Sequence, residues 1–134
     1  MIVSKTKKAR KFPKEWMDVD RKETAFVPYR KENFLTETHI AGTSHIKKIE
    51  KREPKLKRGK KLVLKRESYN PYDFWAIRVE TKKGKKLGYI PKKDNEILAR
   101  LMDMGIPLYG RIDWKEYKGD WLFVRISIYV KKKK

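Results

Sequence analysis

The stretch Arg66-Glu-Ser-Tyr69-Asn70-Pro71-Tyr72-Asp73-Phe74-Trp75-Ala-Ile77-Arg-Val79 decides how the chain is read. It predicts the end of one strand, a tight turn through Asn70, Pro71, Tyr72 and Asp73, and a new strand from Trp75. Pro71 fixes its own φ and drives Asn70 out of the helical region, and the Asp73 carboxylate can accept bonds from nearby backbone amides. Tyr69, Tyr72, Phe74 and Trp75 crowd this turn around one carboxylate in a very basic chain. Aromatic faces beside cations are the equipment of single-strand nucleic-acid binding.

Outward from the turn, the flanking segments read mainly as strands. Upstream, Leu62-Val63-Leu64 predicts a strand that enters the turn, preceded by the basic crossing Ile46 to Lys61 with Pro54 and Gly59 as punctuation. Before that, Phe34, Thr36, Thr38, Ile40 and Gly42 alternate with Leu35, Glu37, His39 and Ala41, which predicts a strand over 34–46 with Gly42 bending it. Downstream, Trp75 to Glu80 is a third strand. A loop with Gly84 at its tip leads to a fourth, Leu87 to Ile90. Asp94 is expected to cap a helix from Asn95 to about Met104, stopped by Gly105, with Ile97, Leu98, Leu101 and Met102 on its buried face. Leu108 to Trp114 and Trp121 to Val130 form a last hairpin. In its second strand Leu122, Val124, Ile126, Ile128 and Val130 should face the core, leaving the side of Trp121, Phe123, Arg125, Ser127 and Tyr129 partly open.

About six short strands with one or two helices make a mostly β, α+β chain. The expected fold is a small OB-like or SH3-like β-barrel, because closure removes sheet edges. Residues 1–33 are expected to be a basic arm partly packed on the domain, 34–130 the barrel, and 131–134 a basic tail.

The 134 residues fit one domain, and 39% hydrophobic with 12% aromatic residues argues for a folded core despite 40% charged residues. A formal net charge of +20, from 37 Lys+Arg against 17 Asp+Glu, favours polyanionic partners. The absence of cysteine excludes disulfides, thiolate nucleophiles and thiolate zinc sites. No apolar run approaches the roughly 20 residues that cross a bilayer, and the opening MIVSKTKKARKF lacks the apolar core of a secretory signal. A soluble, cytoplasmic protein without a membrane partner is the expectation.

Catalytic readings fare poorly. Ser44 and His45 are adjacent, so their side chains would diverge in a strand. The run from Gly105 to Arg111 lacks the Lys-Ser/Thr of a phosphate loop. His39 and His45 have no third ligand nearby, so no metal site and no cofactor are expected. Asp94 and Glu96 suit the start of a helix.

Taken together, the Ala41-Gly42 pair, LVLKRESYNPYDFWAIRV, KLGYIPK (86–92) and a helix ending LARLMDMG (98–105) resemble the HIRAN domain family. The resemblance spans roughly Phe34 to Val130. That family occurs in fork-remodelling helicase-like proteins and as small stand-alone bacterial proteins. It implies a modified OB-type barrel that holds the free 3′-hydroxyl end of single-stranded DNA, without an active site, and a helicase or nuclease protein as a possible partner. Tyr72 then falls where a tyrosine stacks on the terminal base, and Asp73 where an aspartate contacts the 3′-hydroxyl. Tyr89 matches a ring in the downstream strand, Lys92 a phosphate-contacting lysine, and Trp121, more loosely, an aromatic near the last hairpin. Ser44-His45 replaces the Arg-Tyr usual after the glycine, so His45 is the candidate for the second stacking place. Trp75 stands where Asn is usual.

Asn70 and Arg66 complete the expected contact set, with Arg66, Lys92 and the loop lysines on phosphates. Lys47 to Arg66 holds eleven Lys+Arg against two Glu, and Lys82 to Lys93 six lysines without an acid, which supports a phosphate track around the turn. The plainer readings remain. Tyr72 is then a ring covering the barrel and Asp73 a turn closer, in a binder of single-stranded DNA or RNA without end preference. A basic adaptor for an acidic protein is a further class.

Overall fold

A computed structural model describes residues 32–132, so residues 1–31 of the arm expected over 1–33 and the last two lysines lie outside them. Six strands form one antiparallel sheet: β1 (Asn33–His39), β2 (Lys61–Arg66), β3 (Ile77–Thr81), β4 (Lys86–Tyr89), β5 (Leu108–Lys118) and β6 (Trp121–Val130). Their order is β1-β6-β5-β2-β3-β4. Two helices, α1 (Ile49–Arg52) and α2 (Lys92–Asp103), and 3-10 turns at Thr43–His45 and Glu53–Lys55 complete the described chain.

The sheet curls until its two ends meet. Beyond β1, the Ile40 amide donates to the Val124 carbonyl at 3.0 Å, and Ala41 exchanges two backbone bonds with Tyr89, at 2.7 and 2.9 Å. The first strand's continuation thereby touches the last strand of the sheet and closes one corner of an OB-like half-barrel. Gly88 makes this approach possible. A Cβ there would stand 2.3 Å from the Ala41 carbonyl oxygen and 2.7 Å from Ile40 Cγ2, which no side chain tolerates.

The core follows the alternation read in β6, where Leu122, Val124, Ile126 and Ile128 are all buried. They meet Leu62 and Leu64 of β2, Ile77 and Val79 of β3, and Leu98 and Ala99 of α2. The opposite face of β6 is only half as open as expected. Trp121 is exposed and Phe123 and Arg125 are half-buried, but Ser127 and Tyr129 are buried, Tyr129 against the rings of Tyr109 and Phe34. A bulge between Ile112 and Trp114 turns Asp113 inward, where the Ser127 hydroxyl lies 2.8 and 3.0 Å from its two oxygens.

Several expected boundaries shift. The first strand stops at His39 instead of running to Ile46, because Gly42 takes a φ of 78° and the Thr43 hydroxyl donates to the Leu122 carbonyl at 2.6 Å, folding Thr43–His45 into a turn. Trp75 lies in the loop before β3. Helix α2 starts after Pro91, three residues before the expected Asn95, and Asp94 makes no cap. Instead Asp94 accepts from the Thr38 hydroxyl at 2.6 Å and from Lys93 at 2.8 Å. Of the expected buried face of α2, Leu98 is buried and Leu101 and Met102 pack partly buried on the core, but Ile97 is 69% exposed and Asn95 and Ala99 are buried in addition. The C-terminus behaves as read: Gly105 at φ 90° lets its amide reach Met102 and the Ile106 amide reach Leu101, a Schellman stop. Helix α1 lies inside the crossing that the sequence marked only as basic.

Candidate nucleic-acid interface

The central turn is tied down from within. The Asn70 side-chain oxygen accepts from the backbone amides of Tyr72 at 2.8 Å and Asp73 at 3.1 Å, and its amide nitrogen donates to Glu67 at 3.1 Å. Glu67 is buried, and a buried carboxylate needs several partners to offset its desolvation. It also accepts from the Tyr89 hydroxyl at 2.9 Å and faces Arg78 at 3.6 Å. Asp73 uses both oxygens: Oδ1 accepts from the Trp75 amide at 2.9 Å and Oδ2 from the Asn95 side chain at 2.7 Å. Asn95 is itself buried in the first turns of α2, so the loop and the helix start are fastened together.

A second clamp acts from the other side. Arg66 places four of its five N–H donors on protein, pairing with Asp103 at 3.0 and 3.1 Å and bonding the Phe74 and Ala76 carbonyls at 2.8 and 3.1 Å. Its guanidinium lies 5.3 Å from the Phe74 ring centroid, while Arg100 covers Trp75 at 4.5 Å. Arg66 therefore holds the loop against the end of α2, a placement different from the open phosphate contact expected of it.

On this loop three rings are exposed, and two of them stand more open than Phe74, which is 57% exposed beside the Arg66 guanidinium. Tyr72 is 88% and Tyr69 79% exposed. An exposed ring on a backbone fixed by hydrogen bonds contributes nothing to the core and is available to stack.

The remaining candidates lie around the loop at different removes. Tyr89 is half-buried, bonded through its hydroxyl to Glu67 and capped by Lys86 with Nζ 4.5 Å from the ring centroid. Lys92 is exposed at the start of α2, the helix whose Asn95 holds Asp73. His45 is exposed at the end of the 3-10 turn, which is pinned to β4 through Ala41 and to β6 through Thr43. Trp121 belongs to a separate aromatic group at the β5–β6 hairpin. Its ring meets Phe123 edge-on at 5.4 Å, and Phe123 is also stacked by His39 at 5.4 Å and covered by Lys118 at 4.5 Å. Burial and the nearby Lys93 charge hold the His39 imidazole below its usual pKa. For Asp94, burial pushes the carboxyl up, but the bonds from Lys93 and Thr38 outweigh it and leave the group below the usual range.

Glu67 and Asn95 were missed in the sequence. Both are buried polar residues, and apart from the local Glu67–Asn70 bond their partners lie in other elements, so no pattern along the chain announces them. Among the described residues no group of three or more His, Asp or Glu could hold a metal ion, and no helix is long and apolar enough to cross a membrane.

An OB-like half-barrel with an aromatic-rich, internally bonded loop beside a helix start defines a class of small binding module. The HIRAN domain family model matches residues 33–133, and the chain belongs to that family. A crystal structure of a Lactobacillus plantarum protein is similar at 31% identity and TM-score 0.68, covering 73% of this chain and 93% of that one. The crystal structure of the HIRAN domain of human HLTF is similar in fold, with 19% identity, TM-score 0.59, and coverage of 76% and 81%. No curated protein matches the chain.

Proposed function

We propose that this chain is a DNA-binding module that holds single-stranded DNA at its 3′-hydroxyl end. Membership of the HIRAN family supports the DNA-binding class. The observation that carries the finer reading is the juxtaposition of Tyr72, 88% exposed, with the immobilised carboxylate of Asp73 next to it in the chain. Tyr72 stacks on the terminal base. A carboxylate has about four acceptor positions, and protein donors use two at Asp73, so a terminal hydroxyl can still donate to it. Lys92 and the loop lysines meet phosphates, and His45 or Tyr89 takes a second base. A 3′-phosphate would set like charges together at Asp73, so the site selects by repulsion as well as attraction.

One observation favours a second reading. Both oxygens of Asp73 already serve the fold, which is enough to account for its presence in a single-strand binder indifferent to ends. Competition between linear and circular oligonucleotides of equal length and sequence separates the two. End recognition requires the linear form to displace the circular one, whereas equal competition leaves only general single-strand binding.

A further inference from the structure

A cleft of about 340 Å³ lies between the α1 region and the β3–β4 hairpin, at the far end of β3 from the Tyr72–Asp73 turn. Lys51, Arg52 and Lys55 line it from one side and Lys82, Lys83 and Lys85 from the other, with buried Leu56 and Thr81 between them. None of these six cations pairs with a carboxylate among the described residues. Of the acids beside them in sequence, Glu53 pairs with Lys115 at 2.7 Å and Glu80 with Arg78 at 2.7 Å, and the exposed Glu50, next to Lys51, makes no ion pair with any of the six among the described residues. A cluster of one sign around a concave surface repels itself and focuses its field into the cleft. That arrangement opposes folding unless an anion settles there.

We propose that this cleft binds the phosphodiester backbone of the same DNA strand, upstream of the end held at the turn. The proposal rests on the nucleic-acid reading above and extends it. From Ile77 to Thr81, β3 covers about 13 Å, and phosphates on a stacked strand recur every 3.4 Å or so, which places the cleft at least about four nucleotides upstream of the end. The edge strand β4 joins the two places. At its turn end is Tyr89 with Lys86 over the ring, and at its cleft end the Arg52 guanidinium donates to the Lys86 carbonyl at 3.0 Å. Arg52 is thereby fixed, while the lysines beside it keep their ammonium groups for phosphates. Charge alone selects the ligand here, so the cleft adds affinity and not sequence preference.

The test compares a four-nucleotide and a twelve-nucleotide DNA, both ending in a 3′-hydroxyl, by direct binding at several salt concentrations. The proteins are the full chain and its variant Lys51→Gln, Lys55→Gln, Lys82→Gln, Lys83→Gln, with folding checked by thermal melting. All four side chains are exposed, so the variant should melt like the parent. The parent should bind the longer strand at least about ten-fold more tightly at low salt. In the variant that gain should vanish, and the salt slope for the longer strand should become shallower by up to about 3, at roughly 0.7 for each of the four lysines that no longer neutralises a phosphate. Binding of the short strand should be unchanged. A variant that keeps the full length gain overturns the cleft assignment, as does a parent that shows none. Failure of end recognition has a different signature: 3′-hydroxyl and 3′-phosphate forms bind alike while the length gain and its loss in the variant persist.

Discussion

The side-chain amide of Asn95 donates to the Asp73 carboxylate across 2.7 Å, joining the first turns of α2 to the loop that carries Tyr72. Asn95 is buried, and removing one partner of a buried bond to a charged group leaves the other unsatisfied. Asn95→Ala should therefore destabilise the fold by about 1 to 3 kcal/mol and loosen the loop. Chemical denaturation measures the first effect, and reduced affinity for single-stranded DNA the second. A variant of parental stability would show that the loop does not depend on the helix.

Tyr72 is the opposite case. With its ring open to solvent it makes little of the core, so Tyr72→Ala should leave the melting temperature almost unmoved. It should cost about 1 to 3 kcal/mol of single-strand affinity, the usual value of one base stack. A large drop in melting temperature with normal binding would make the ring a structural cover.

Gly88→Ala should be among the most damaging single changes in the barrel. The new methyl would meet the Ala41 carbonyl oxygen at 2.3 Å, so the Ala41–Tyr89 bridge must open or β4 must shift. A loss of at least about 2 kcal/mol is expected, from overpacking together with a broken closure. Near-parental stability on urea unfolding would mean that the corner is not needed to close the sheet.

Asp113 gives the fold a pH dependence of definite sign. Burial pushes its carboxyl up from 3.8 to about 6, despite the hydrogen bond from Ser127. A raised folded pKa means that the protonated acid is favoured in the native state. The stability it contributes is complete below about pH 4 and is lost as pH rises through about 6. Asp113→Asn keeps the shape without the charge, so relative to this variant the parent should lose about 1 to 3 kcal/mol between pH 4 and 7. Parallel stability curves for the two proteins would refute a buried, titrating Asp113.

Which parts of this fold were legible follows from the range of the interactions. The turn at Asn70 to Asp73 could be read because its determinants are local: proline geometry and an Asn side chain bonding amides two and three residues on. The β6 alternation was legible for its aliphatic face, where burial tracks side-chain type. Its other face was misjudged at Ser127 and Tyr129, which are buried by the Asp113 bulge and by the rings of Phe34 and Tyr109. The end of β1 was misplaced because a period-two pattern continues past His39, while the bond that folds the chain there reaches from Thr43 to Leu122. Asp94 looked like a cap for the same reason. Its partner Thr38 lies 56 residues away, and no local pattern announces it. In the site, the displayed Tyr72 and Asp73 were visible as residue types in a basic chain, but the inner supports, Glu67, Asn95 and the Arg66–Asp103 pair, depend on contacts between elements.

End recognition through Asp73 is tested most directly by comparing matched single-stranded oligonucleotides that end in a 3′-hydroxyl or a 3′-phosphate, at fixed salt, on the parent and on Asp73→Asn. The hydroxyl can donate to the carboxylate, and such a bond to a charged group is worth about 1.5 to 3 kcal/mol, so the parent should prefer it by roughly ten-fold or more. In Asp73→Asn, Asn95 can turn its amide to keep one bond to the loop, so the variant should remain folded. It should lose most of the preference while its salt dependence stays nearly the same. Equal affinity of the parent for the two ends would contradict the account at its centre, leaving Asp73 to close the turn and the domain to bind DNA without regard to its end.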